Sequence, residues 1–148
     1  MTDERFAEVY RQHRTSQDAY TYFILAAAAS AIGFALNQTN GRSLSWSLAP
    51  LGIATASWLL SFYWGCRYLQ SVGSILLGNL ELLRVQAGEH PKAATPHEIA
   101  IASRVINERL AEKSEQASTL AKRQFAALIA GGVFYIVWHV LEMYLRTH

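Results

Sequence analysis

Apolar and polar positions along this 148-residue chain fall into long separate blocks. Residues 19–41, 43–66 and 124–141 contain no Asp, Glu, Lys or Arg. At a helical rise of ~1.5 Å per residue, about 20 apolar residues cross a hydrocarbon core of ~30 Å. The pattern predicts three transmembrane helices: about Ala19 to Leu36, Ser47–Pro50 through Cys66, and about Gln124–Leu145. The polar turn Asn37 to Ser43, containing Gly41, is short enough to make the first two antiparallel neighbours.

The remaining segments carry helical stripes. Phe6, Val9, Tyr10 and His13 recur at helical spacing and predict a short N-terminal amphipathic helix. Beyond Cys66, Leu69, Val72, Leu76, Leu80 and Leu83 continue as an apolar stripe until Gly88-Glu89-His90-Pro91 breaks it. Thr95-Pro96-His97-Glu98 is a helix-start signal, with Thr at the cap, Pro first and Glu three after the cap. Ile99, Ala102, Ile106, Leu110, Ala117 and Leu120 then mark a second apolar face. The two arms are expected to pair as an antiparallel hairpin with Leu69, Val72, Leu76, Leu83, Ile99, Ile106 and Leu110 in its core. The expected fold is therefore all-α. Its segments are an N-terminal amphipathic helix (1–18), two spans (19–66), a helical hairpin (67–123), and a third span with a short tail (124–148).

Charge sharpens this picture. Charged residues make up 16% of the chain, against the quarter usual in soluble domains, and 14 of the 24 lie in residues 67–123. An ordinary soluble domain, a secreted disulfide scaffold and a disordered tail are excluded. Cys66 is the single cysteine, so no intrachain disulfide exists. The net charge of +2 alternates in sign and forms no basic patch, so no nucleic-acid partner is expected. A mixed-charge segment precedes the first apolar run, which reads as a retained membrane helix rather than a signal peptide. Eleven basic residues lie in residues 1–18 and 67–123, against Arg42 and Arg146 elsewhere. Basic residues gather on the cytoplasmic side, so the N-terminus and hairpin are expected inside and the C-terminus outside. The Ala-rich, Arg-favouring composition resembles that of small bacterial inner-membrane proteins, which sets the expected location.

Several constellations could carry function. Small residues stand four apart at Ala27/Ala31, Ala29/Gly33, Ser57/Ser61/Gly65 and Ala127/Gly131. That spacing lets helix backbones approach in lipid, within one chain or between copies. His139, Glu142 and Arg146 lie on successive turns of the third span, as membrane-interface anchors or pore-lining groups. His90, His97, Glu89 and Glu98 cluster near the hairpin tip but match no zinc spacing, so neither metal nor cofactor is expected. Arg84 and His90 resemble the Arg-x4–6-His pattern of HEPN-type ribonucleases, which would imply an RNA-cleaving pair. No phosphate loop, metalloprotease motif or nucleophile elbow occurs, and no enzymatic activity is expected.

The paired spans at 19–36 and 47–66, the turn around Gly41 and the helical arms that follow resemble SLATT-type small membrane effectors of bacterial antiviral systems. The third span at 124–145 is additional to that two-span pattern. The resemblance implies a homo-oligomer that compromises the membrane, its hairpin driving assembly or sensing a cytoplasmic protein partner. A non-conducting membrane adaptor docking a cytoplasmic partner is the alternative expectation, and a membrane-bound nuclease-like enzyme the third. Exposed hairpin charges such as Arg104 and Glu108 would serve the adaptor.

Overall fold

The computed structural model describes residues 2–41, 45–89 and 95–147, with side chains at Thr15 and from Asp18 onward within those ranges. The described residues form helices α1 (Thr2–Thr39), α2 (Ala49–Gln86) and α3 (Pro96–Thr147), plus a 3-10 turn at Trp46–Leu48. No strand occurs among them, so the all-α class holds.

Helix α1 contains no proline, and its first glycine is Gly33. Its backbone ladder therefore passes through residues 15–18 unbroken. The short N-terminal helix and first span expected as separate elements are one helix of 38 residues, ~57 Å long. The side chains of Phe6, Val9, Tyr10 and His13 lie outside the described residues, as does Arg42.

Local chemistry sets the other helix ends. Gly88, with φ of 71°, ends α2: its N–H donates to the Val85 carbonyl at 3.0 Å, and the Glu89 N–H to the Arg84 carbonyl at 3.0 Å. This pair of bonds is the Schellman closure, which needs a left-handed residue that glycine supplies without steric cost. At the start of α3, the Glu98 carboxylate accepts from the Thr95 N–H at 3.0 Å and from its hydroxyl at 2.9 Å. The Glu98 N–H donates back to Thr95 Oγ1 at 3.3 Å, completing a capping box.

Among the described residues, two helices contain stretches long and apolar enough to cross a membrane, one over Asp18–Thr39 and one within α3. In each, only 22% of the apolar window is buried, whereas the core helix of a soluble protein is mostly covered. The first half of α2 is equally free of charge, but Pro50, Gly52, Thr55, Ser57, Ser61 and Gly65 dilute its apolar character.

The chain divides into two compact units: residues 1–65 with 123–148, and residues 66–122. In the first, each helix buries one stripe. Thr21, Ile24, Ala28 and Ala35 on α1 follow steps of three, four and seven, as do Gln124, Ala127, Gly131 and Trp138 on α3. Leu51, Ala54, Trp58, Ser61 and Gly65 do the same on α2. Steps of three and four keep one face of a helix against its neighbours. The inward residues are largely small or polar, while Phe23, Leu36, Ile136 and Val140 are more than half exposed. Apolar bulk outside and small or polar groups inside is the arrangement suited to lipid.

In the second unit, Gly78 of α2 lies against Leu110 of α3; a Cβ there would come within 2.7 Å of the leucine side chain. Val85 and Ala117 are buried, and Leu69, Val72, Ile99, Ile106 and Leu110 are half-buried. Leu76 and Leu83, expected in the hairpin core, are exposed at 47% and 62%. The approach at Gly78 turns a neighbouring face of α2 inward and leaves Leu76, Leu80 and Leu83 of the expected stripe outside.

Candidate functional site

The chemistry-bearing groups of the first unit concentrate in an interior seam and a pocket at one end. The seam joins α2 to α3. Ser61 Oγ donates to the Gln124 carbonyl at 2.8 Å, and the Trp58 indole N–H to the Leu128 carbonyl at 3.3 Å. Both acceptors already serve their own helix, so the new bonds use the second lone pair of each carbonyl. Trp58 fits because Gly131 faces it: a Cβ at that position would lie 2.4 Å from the indole nitrogen. Gly65 likewise admits the Gln124 amide and the Leu25 side chain. Gln124 is 2% exposed, and its Nε2 has no hydrogen-bond partner among the described residues.

The small residues therefore have different settings. Ser61, Gly65, Ala127 and Gly131 are buried within the unit. Ala27, Ala31 and Ser57 are half-buried, and the Ser57 hydroxyl is turned back to the Ile53 carbonyl at 2.9 Å. Ala29 and Gly33 are exposed, and nothing lies within 4 Å of a Cβ built on Gly33. Of the two settings open to these small residues, Gly33 has no packing partner within the unit.

The pocket lies where α1 stops and α3 ends, with a volume of about 280 Å³. Phe34 and Gln38 of α1 form one wall; Tyr135, Trp138, His139, Glu142, Met143 and Arg146 of α3 form the other. Tyr135 is its hub, with its ring centroid 6.0 Å from Phe34, 5.5 Å from Trp138 and 6.5 Å from His139. The His139 ring stacks on Tyr135 at an interplanar angle of 10°. On the other side Tyr135 meets Trp58 at 5.9 Å, which ties the pocket to the seam. Glu142 and Arg146 pair at 3.4 Å across one helical turn, the arginine side chain 66% exposed and the glutamate 19%. At that exposure the contact adds about 0–1 kcal/mol and opens easily. His139, Glu142 and Arg146 were thus brought together as their spacing implies. Phe34 and Gln38, on a helix a hundred residues away, carry no sequence signal linking them to α3.

Elsewhere the functional signals are sparse. Arg84 is half of an exposed contact with Glu81 at 3.9 Å, while His90 lies outside the described residues. His97 and Glu89 are exposed, and Glu98 serves the capping box. Among the described residues no group of three His, Cys, Asp or Glu could hold a metal ion. Cys66 is a half-buried free thiol. No protein-family model, curated protein or solved structure matches this chain.

Proposed function

We propose that this chain is a non-enzymatic membrane protein of the bacterial inner membrane that works as a homo-oligomer and perturbs the bilayer. In this reading the second half of α1, the first half of α2 and the second half of α3 are three spans. The N-terminus and the 66–122 unit, a helical hairpin, are cytoplasmic, and the C-terminus is outside. The observation that carries it is the row of exposed leucines in the 66–122 unit. Leu76, Leu77, Leu80 and Leu83 on α2 are all 47% exposed or more, as are Ile101 and Val105 on α3. Such a surface in water calls for burial, and a second copy of the same unit supplies the matching surface. The outward Ala29/Gly33 pair supports a second contact between copies within lipid. The resemblance to SLATT-type effectors points the same way.

The test is the mass of the protein in a mild detergent, followed by conductance in planar bilayers. The expected result is an oligomer that conducts, and a Leu77→Glu, Leu80→Glu double variant that is monomeric and silent. A wild-type monomer without conductance overturns the proposal.

A further inference from the structure

The pocket at the end of the first unit has the chemistry of a receptor for a zwitterionic headgroup, an ammonium and a phosphate joined by a short linker. We propose that it binds the headgroup of an ethanolamine phospholipid in the leaflet facing the C-terminus. Three observations converge. The first is charge order: Glu142 is the more enclosed charge, and Arg146 stands at the rim. An ammonium placed against Glu142 leaves its phosphate facing the guanidinium, so each of the two charges meets an opposite charge of the headgroup. The second is the aromatic wall. Phe34, half exposed, lines the same cavity as Trp138, and aromatic faces attract cations within about 6 Å of their centroids. The third is depth. Glu142 directly follows the charge-free run 124–141, and Gln38 lies in the last turn of the apolar stretch of α1. Both walls thus pass from apolar to polar at one level, where acyl chains give way to headgroups. Trp46, 94% exposed, and Tyr144, 59% exposed, add interfacial side chains of the kind enriched there.

An anionic phosphatidylglycerol offers a phosphate to Arg146 but nothing positive to Glu142. Discrimination between the two lipids therefore belongs to Glu142 and the rings, whereas Arg146 serves both.

The inference rests on the membrane reading above, and the experiment separates the two. The full chain, extracted in a mild non-ionic detergent, is offered equal amounts of phosphatidylethanolamine and phosphatidylglycerol with identical acyl chains. Bound lipid is read by native mass spectrometry. The expected result is about a tenfold preference for the ethanolamine lipid, equivalent to ~1.4 kcal/mol. Glu142→Gln should bring the ratio near one, and Arg146→Gln should weaken both lipids while keeping the ratio. Equal retention by the wild type, or an unchanged ratio in a folded Glu142→Gln chain, overturns the site. Wild-type competition supplies a readout independent of any variant. Displacement of bound lipid by soluble glycerophosphoethanolamine supports a site satisfied by the headgroup alone. Preferential lipid binding without that displacement supports a site that needs the lipid. Equal displacement by glycerophosphoglycerol overturns the assignment. A chain recovered from the aqueous phase without detergent overturns the membrane reading and the site with it; a membrane-bound chain lacking the preference overturns only the site.

Discussion

Gly131 and Gly132 stand side by side in α3, yet what surrounds them differs. A Cβ on Gly131 would collide with the Trp58 indole, while one on Gly132 would meet nothing within 4 Å. The indole is rigid and held by its bond to the Leu128 carbonyl, so it cannot fold away as a lysine tip would. Gly131→Ala should therefore destabilise the first unit by about 1–3 kcal/mol, the usual cost of overpacking. Gly132→Ala should be neutral or stabilising by up to ~1 kcal/mol, because alanine favours helix. Denaturation midpoints in detergent compare the two, and equal midpoints would refute the packing at Trp58. Both residues were visible as a small pair inside an apolar run. Which one receives a tryptophan depends on how α3 is rotated against α2, and periodicity along α3 alone does not contain that rotation. The burial of Gln124 is equally hidden in the sequence, where it is an uncharged residue at the boundary of an apolar run. Its burial follows from Gly65 on the other helix.

At the scale of elements, legibility depended on how local the deciding chemistry was. The stop at Gly88 and the start at Thr95 were readable because each involves a few adjacent residues. The inward face of α2 in the 66–122 unit was not. Leucines occupy several faces there, and the choice falls to the glycine that admits Leu110. The pocket was legible by half, since His139, Glu142 and Arg146 share one helix and one spacing. The capping box gives a clean prediction: Thr95→Ala removes the acceptor for the Glu98 N–H and the hydroxyl donor to the Glu98 carboxylate, leaving the residue-95 N–H as the one remaining donor there. The expected loss is about 1 kcal/mol in the first turn. It should appear as faster amide exchange at residues 97–99, with exchange around Leu110 unchanged. Equal protection in the variant would mean the cap contributes nothing.

For the whole molecule, the segregation of charge and the two long apolar stretches were plain in the sequence, because each sums over many residues. The charge-free stretch that opens α2 is less decisive, since Ser61 and Gly65 serve contacts with α3, while the Thr55 and Ser57 hydroxyls bond back to their own helix. Charge asymmetry makes the proposed topology testable. In that proposed topology the side with eleven basic residues is cytoplasmic and the side with two is not, so alkaline phosphatase joined after Thr147 should be active and inserted within residues 90–94 inactive. The opposite pattern would reverse the orientation.

The contacts that lock α2 into the first unit are far apart in the chain. Ser61 bonds 63 residues ahead, and Trp58 bonds 70 residues ahead. Chains lengthen at about 5–20 residues per second, so those partners emerge roughly 3–14 s after α2 itself. Ala35, Leu51 and Ala54 belong to the same apolar cluster and can meet as soon as α1 and α2 exist. Trp58 and Ser61 cannot, and for those seconds their face must be covered by lipid, by the insertion machinery or by a chaperone. The order of synthesis thus makes α3 the helix that closes the bundle, and a chain halted before Gln124 would leave an indole and a hydroxyl waiting for acceptors not yet made.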